Sequence, residues 1–425
     1  MGAVNAPERR KPHKGGNLYG RSKVRRKGGN MKRLLAMLLV GTMVFGSLAG
    51  CGGSEGSSDG SAAGSDSSSE TTAEAPEEAK TYGEDETLQI AYIGWGFADE
   101  TALMYTKSFD MVSENFNVEY TLSDAWGNST SAEDVVEVLP SLIEAGAQAV
   151  IVHSMSARIV EICNEAGVYF TLSGEVILDE ELQAMCDASP YYVGTVALAD
   201  YDGGYALGEY LANDGCENVA YLRESTRNLE ENRLQGATTA LDEYGVTMVG
   251  EYCGREDAQA LRDFVASNPD LDGVIISNGT NGKLDTAAQT LESLGVQNDI
   301  DLVSICSPVG HEAYFENGTV NMIMAGEGFE PMICSMLLVN AMRGNRIDEE
   351  PFLDYVSYFP IEDASEIATY STYFSSESEL LPVTAEQLTN DWLKENNPDL
   401  NNEWISNWLD TEYNLDAIVA AHENA

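Results

Sequence analysis

Hydrophobic positions between residues 87 and 360 follow two alternating patterns. Short continuous apolar runs, such as LQIAYIGW (88–95), AQAVIVHSM (147–155) and LDGVIISN (271–278), are typical of buried strands. Between such runs lie longer segments with apolar residues three and four positions apart, which are typical of helices; one is NLEENRLQGATTALDEYG (228–245). This alternation predicts an α/β fold in which helices cover both faces of mostly parallel, doubly wound sheets.

The number of predicted strands, about eleven, is too large for one compact core, so the pattern predicts two lobes. We assign residues 87–197 and 327–350 to an N-terminal lobe, and residues 198–326 and 351–374 to a C-terminal lobe. Ligands of parallel α/β sheets bind beyond the carboxyl ends of the strands. The cleft between the two sets of strand ends is therefore the expected binding site.

Residues 375–425 form an acidic segment that is rich in aromatic side chains. The spacing of Trp392, Trp404, Trp408 and Leu409 predicts amphipathic helices that pack on one lobe. A surface for interaction with a partner is the alternative interpretation.

Residues 31–50 have the order of an export signal: two cations, an apolar run, and then small residues. A membrane-spanning helix needs about 20 apolar residues, whereas the run from Leu34 to Leu48 has fifteen and includes polar and glycine positions. The segment Leu48-Ala-Gly-Cys51 resembles the lipobox of bacterial lipoproteins, which implies lipidation of Cys51 and a mature chain that starts there. Residues 51–86 then form an acidic Ser/Gly tether. Residues 1–30 are interpreted as a non-native or untranslated leader, with Met31 as the true start.

The charge of the mature chain is strongly negative. The full sequence has 23 basic and 70 acidic residues; of these, eleven basic residues and one acidic residue precede Cys51, so the mature formal charge is near −57. Such a chain repels nucleic acid and anionic lipid, which excludes nucleic-acid binding.

Signals for catalysis and for metal binding are missing from the sequence. Four histidines lie far apart, no GxSxG segment occurs, and the cysteines have no CxxC spacing. We therefore predict no enzyme activity, no cofactor and no metal. The sequence leaves open whether Cys216 and Cys253 form a disulfide, because both fall at strand edges of one half.

Three segments carry a resemblance to a known family: VGTVALADYDGGYALGEYLAN, ENRLQGATTAL and DGVIISNGTNG. In their order and spacing they resemble the type I periplasmic solute-binding proteins, the ribose and galactose binders of ABC importers. Two positions depart from the family pattern, because Ala237 replaces an aromatic residue and Gly279 replaces an aspartate. The resemblance implies two lobes that are joined by three hinge strands and close over a solute.

Four residues of the first lobe are candidates for ligand binding. Trp95 and Phe97 end the first strand, where aromatic faces suit a sugar ring or a heterocycle. Ser154 and Glu175 follow the third and fourth strands and can hydrogen-bond hydroxyl groups or an amine.

Four further candidates lie in or beside the second lobe. Arg233 and Asn278 match positions that contact the sugar in the ribose-type binders, as the resemblance implies. Arg227 lies near Arg233, and its guanidinium group can clamp ligand oxygens; pairing of these arginines with nearby glutamates is the alternative. Glu327 stands near the position where the family has a glutamine, and the segment Ser304-Ile-Cys306-Ser lacks the family's aspartate.

Together these features predict a lipid-anchored extracytoplasmic solute-binding protein that serves an ABC permease as a monomer. A sugar is the favoured solute, and nucleosides, amino-compounds and modified sugars are alternatives. The alternative function is a sensor that presents its closed form to a histidine kinase or a chemoreceptor.

Overall fold

The computed structural model describes residues 79–94, 100–123 and 131–423. Within these ranges the chain forms twelve strands and fourteen helices. The leader, the export signal, Cys51 and most of the tether lie outside the described residues, and so do Trp95 and Phe97.

The strands are β1 (Leu88–Ile93), β2 (Val118–Ser123), β3 (Ala149–Val152), β4 (Tyr169–Gly174), β5 (Tyr192–Leu198), β6 (Asn218–Arg223), β7 (Thr247–Cys253), β8 (Gly273–Ile276), β9 (Asp301–Ile305), β10 (Met322–Ala325), β11 (Phe352–Val356) and β12 (Phe359–Ile361). The helices are α1 (Glu100–Phe116), α2 (Ala132–Glu144), α3 (Ala157–Ala166), α4 (Glu180–Asp187), α5 (Asp200–Asp214), α6 (Asn228–Tyr244), α7 (Asp257–Ser267), α8 (Lys283–Leu294), α9 (Glu312–Asn317), α10 (Glu330–Met342), α11 (Ala364–Phe374), α12 (Ala385–Asp391), α13 (Asn402–Thr411) and α14 (Leu415–Glu423).

Two six-stranded sheets form the cores of two lobes. The first sheet has the order β11-β5-β4-β3-β1-β2 and all of its neighbouring strands are parallel. The second sheet has the order β12-β10-β9-β8-β6-β7, and only the β10–β12 pair is antiparallel. The predicted fold class, α/β with two parallel-sheet lobes, is confirmed.

The chain crosses between the two sheets three times. It crosses after β5, again after β10, and finally between β11 and β12. The three connections therefore comprise residues 198–200, 325–329 and 356–359, which we call the hinge.

One predicted lobe boundary is wrong. Residues from 351 onward were assigned to the C-terminal lobe, but β11 pairs with β5 in the first sheet, with Phe352 opposite Gly194 and Val356 opposite Leu198. The last crossing therefore comes after Val356. The residues of this short strand alternate between buried and exposed, but the sequence FLDYV does not show which sheet the strand joins.

Helices α5 and α6 approach each other closely through glycines. A Cβ atom at Gly204 would lie 2.0 Å from the backbone oxygen of Arg233, and one at Gly236 would lie 2.0 Å from that of Tyr201. No side chain fits at either position. This contact places the middle of α6, with Arg233, directly beside the start of α5 at the hinge.

The C-terminal tail (residues 375–423) contains α12, α13 and α14. Its aromatic side chains Trp392, Trp408 and Tyr413 are buried. The tail was predicted to pack on one lobe, whereas in the structure it contacts elements of both lobes. No helix in the described part of the chain is long and apolar enough to cross a membrane.

Candidate functional site

The two lobes meet across the cleft through an ion pair. Nη2 of Arg227, at the N-terminus of α6, donates to Oε1 of Glu175, which follows β4, at 2.5 Å. Glu175 also lines a small pocket, together with Asp200, Asn232 and Tyr355. Two of the predicted site residues thus connect the lobes to each other beside a small cavity.

Arg233 is buried in a network of polar groups at the hinge. Its Nε donates to Oδ1 of Asp200 at 2.7 Å, its Nη1 to the backbone oxygen of Ser277 at 3.0 Å, and its Nη2 to Oε1 of Glu327 at 2.7 Å. Nη2 also lies 2.6 Å from the hydroxyl of Tyr358, which in turn donates to Oδ1 of Asp200 at 2.9 Å. Every nitrogen of this guanidinium group therefore has a partner within the protein.

The hinge network contains more negative charge than positive charge. Asp200, in the first hinge connection, and Glu327, in the second, share one arginine. Burial raises the pKa of Asp200 to about 6, although Arg233 acts in the opposite direction. Arg233 and Tyr358 both donate to the same oxygen of Asp200, Oδ1.

The first lobe contributes a second group of buried polar side chains. The hydroxyl of Tyr105 donates to Oε1 of Glu330 at 2.7 Å, and the backbone N–H of Gly328 donates to Oε2 at 3.0 Å. Burial raises the pKa of Glu330 to about 7. This carboxyl group thus links the core of the first lobe to the second hinge connection.

His153 follows β3 and is buried beside Tyr92, whose hydroxyl lies 2.9 Å from Nε2. Burial lowers the pKa of His153 to about 3, and Arg227 adds to this effect. The imidazole is therefore neutral at physiological pH, and protonation of His153 does not control the cleft near neutrality.

The remaining predicted residues have other surroundings. Oδ1 of Asn278 accepts hydrogen bonds from the N–H and the hydroxyl of Thr280, so this oxygen shapes its own loop. Ser154 is half-buried in the loop after β3. The nearby Arg223 pairs with Glu231 and Glu251.

Sequence reasoning missed three residues of the site: Asp200, Tyr358 and Glu330. Asp200 stands two residues after the end of β5, close to a strand end at the cleft, and this position is a usable signal in the sequence. Tyr358 was hidden by the misplaced lobe boundary. Glu330 stands beside a proline at the start of a very apolar helix, and nothing in that pattern shows that its carboxyl group is buried.

The six cysteines of the described residues are all free thiols. Cys216 is buried and Cys253 is exposed, so the pair left open by the sequence is not a disulfide in this structure. Among the described residues, no group of histidine, cysteine or carboxylate side chains has the arrangement of a metal site.

The profile of a family described as periplasmic binding protein domain matches residues 73–344, which is more than half of the 425-residue chain. The chain belongs to this family. Members of this family bind ligands and are not enzymes. The two-lobed fold described above is the fold of the type I periplasmic binding proteins. None of the curated protein sequences matches the chain.

Solved structures of periplasmic binding proteins share this fold. A Bacillus halodurans C-125 ABC transporter solute-binding protein with bound myo-inositol is 15% identical, with a TM-score of 0.57; the match covers 68% of this chain and 99% of that chain. An Actinobacillus succinogenes 130z counterpart with bound D-allose is 18% identical (TM-score 0.55; 67% and 100% covered). A Mycobacterium smegmatis protein in complex with β-D-fucofuranose is 17% identical (TM-score 0.54; 67% and 94% covered).

Proposed function

We propose that this protein captures a neutral polyhydroxylated solute, a monosaccharide or a cyclitol, outside the cytoplasm and delivers it to an ABC permease. The observation that carries the proposal is the two-lobed cleft, in which polar side chains of both lobes meet at the ends of parallel strands. The ligands named for the solved structures of the same fold, myo-inositol, D-allose and β-D-fucofuranose, support this solute class.

The charges at the cleft argue against an anionic solute. Clamping of a carboxylate or phosphate group needs a guanidinium or ammonium group that can turn toward it. Arg227 is paired with Glu175, and all three nitrogens of Arg233 bond protein groups. An anion would have to displace one of these carboxylates while lying near the others, which costs Coulomb energy.

In this proposal the capture involves no covalent step. The solute enters the open cleft, and the lobes close around it and exclude water. The Arg227–Glu175 pair then lies at the seam of the closed cleft. Trp95, Phe97, Ser154 and Asn278 remain proposed contacts that stack on the ring or hydrogen-bond its hydroxyl groups. The closed monomer then presents both lobes to the permease.

A thermal-shift panel tests the solute class. We expect at least one neutral hexose, pentose or cyclitol to raise the melting temperature, since a ligand at 100 times its Kd stabilises the folded state by about 2.7 kcal/mol. Each neutral sugar is measured beside its uronic acid and its 2-amino counterpart, which differ from it mainly in charge. A shift with uronic acids alone would overturn the class, and no shift with any member would overturn capture of sugars.

The lipid anchor is a separate part of the proposal. We expect the wild-type protein to remain with the membrane fraction of the native host and Cys51→Ala to appear in the soluble extracytoplasmic fraction, because one acyl pair supplies the attachment. Detection of radiolabelled fatty acid on the protein checks the modification directly. Labelling of the Cys51→Ala variant to the wild-type level would contradict the assignment.

Delivery to an importer is distinguished from sensing by uptake. Cells that lack this chain are expected to lose accumulation of the radiolabelled solute identified by the panel. Normal uptake, combined with a lost transcriptional or chemotactic response, would instead assign the protein to a histidine kinase or a chemoreceptor.

A further inference from the structure

The C-terminal tail crosses from one lobe to the other and back. The tail begins after α11, which packs beside β12 and α9 of the second lobe. Its first residue, Ser375, already contacts the first lobe: Nζ of Lys107 in α1 donates to the backbone oxygen of Ser375 at 3.1 Å. The family profile ends at residue 344, so the tail lies beyond the matched domain.

Side chains of the first lobe hold the middle of the tail. Nδ2 of Asn340 in α10 donates to the backbone oxygen of Trp392 at 2.9 Å, and its Oδ1 accepts from the N–H of Lys394 at 2.7 Å. Nδ2 of Asn402 donates to the backbone oxygen of Glu350 at 3.0 Å. Three hydrogen bonds thus fix the tail between Trp392 and Asn402 to the first lobe.

The segment between α13 and α14 reaches the hinge itself. The hydroxyl of Tyr413 donates to the backbone oxygen of Gly326, in the second hinge connection, and the Tyr413 ring stacks on Phe329 with centroids 5.1 Å apart. Trp392 and Trp408 surround the same Phe329 at 6.3 and 5.5 Å. Gly326 has a φ of +118°, a conformation that only glycine adopts easily.

Contacts with the second lobe complete the crossing. Tyr413 packs against Phe359 of β12 and Phe374 of α11, with ring centroids 6.0 and 6.1 Å apart. Near the end of the tail, His422 packs on Tyr373 of α11 at 4.9 Å. Rotation of one lobe against the other must therefore strain or break contacts of the tail.

We propose that residues 375–423 act as a strap across the hinge that stabilises the closed arrangement of the lobes and so sets the affinity for the solute without touching it. In this structure the tail makes these contacts while Arg227 and Glu175 hold the two lobes together. Each tail contact that is lost when the lobes separate stabilises the closed state relative to the open state by the free energy of that contact. Affinity then rises in proportion to the closed fraction.

The test measures the separation of the lobes without any ligand, so its result is independent of the solute. The full chain carries Cys51→Ser, one dye on the exposed native Cys253 of the second lobe, and one dye on Glu144→Cys of the first lobe; the other native cysteines of the described residues are buried. Single-molecule energy transfer then reports the open and closed populations.

We expect Tyr413→Phe, which removes only the hydroxyl bonded to Gly326, to raise the ratio of open to closed molecules roughly two- to tenfold, the effect of one hydrogen bond. Tyr169→Phe is the matched control, because it removes a tyrosine hydrogen bond between β4 of the first lobe and the backbone oxygen of Lys80, in the segment that precedes β1, far from the tail in sequence. His422→Ala, close to the end of the chain, is expected to shift the ratio in the same direction. Populations of both tail variants equal to those of Tyr169→Phe would overturn the strap.

Discussion

Replacement of Arg233 by methionine is expected to lower the free energy of unfolding by about 3–5 kcal/mol, the usual cost of removing one partner from a buried ion network. Methionine preserves much of the packing volume but leaves Asp200 and Glu327, two carboxyl groups with little access to water, without their cation. Urea denaturation at constant pH measures this difference.

Arg223→Met is the matched control for this measurement. Arg223 lies in the same strand–helix unit, but its partners Glu231 and Glu251 keep 47% and 34% of their side chains exposed. Water can solvate these carboxylates when the arginine is lost, so we expect a cost of about 1 kcal/mol. Equal losses for the two variants would contradict the structural role of Arg233.

A triple variant separates lost charge compensation from lost packing. Asp200→Asn and Glu327→Gln, added to Arg233→Met, remove the charges that the methionine leaves unpaired. We expect this triple variant to be more stable than Arg233→Met alone, because coupled residues in one network do not have additive effects. No recovery would show that packing of the guanidinium group dominates.

The stability of the wild-type protein is expected to fall between about pH 4.5 and pH 7, and Glu330→Gln is expected to remove much of that fall. Burial raises the pKa of Glu330 from 4.5 to about 7. Below pH 4.5 both the folded and the unfolded states carry the proton, so the full stability is present. As the pH rises toward 7, the unfolded state ionises first and stability is lost, by about 3 kcal/mol for a shift of this size.

The free energy of unfolding is measured for wild type and Glu330→Gln from pH 4 to pH 8. The difference between the two curves isolates the contribution of Glu330 from that of Asp200, whose raised pKa also lowers stability as the pH rises. Glutamine keeps an oxygen for the N–H of Gly328 and a polar contact for Tyr105. Glu133→Gln, in the exposed first turn of α2, is the control and should leave the profile nearly unchanged. Parallel profiles for wild type and Glu330→Gln would show that Glu330 does not titrate in this range.

The sequence predicted the fold well because its signals are local. Continuous apolar strands alternate with helices that end at glycines, and this pattern is enough for two parallel sheets. The strand β11 was assigned to the wrong lobe, since its pairing with β5 joins residues more than 150 positions apart. Long-range pairing of a short strand leaves no periodic signal in the chain.

The site was predicted only in part, for a similar reason. The sequence brings attention to Arg233 and Glu327 separately, but only the folded hinge shows that they bond each other, with Asp200 and Tyr358 as further partners. The cation predicted to clamp a solute thus has its hydrogen bonds supplied by the protein. Burial of Glu330 is likewise a property of the packed helix α10 and not of its neighbours in sequence.

The placement of β11 determines when the first sheet can be completed during synthesis of the chain. Strand β5 is synthesised long before β11, so its outer edge stays without a partner until residues 352–356 have emerged. An uncovered edge of a parallel sheet is open to pairing with other chains. We therefore expect chains truncated before residue 352 to aggregate, although they contain most of both sheets, and the final crossing of the hinge to be a late step in folding.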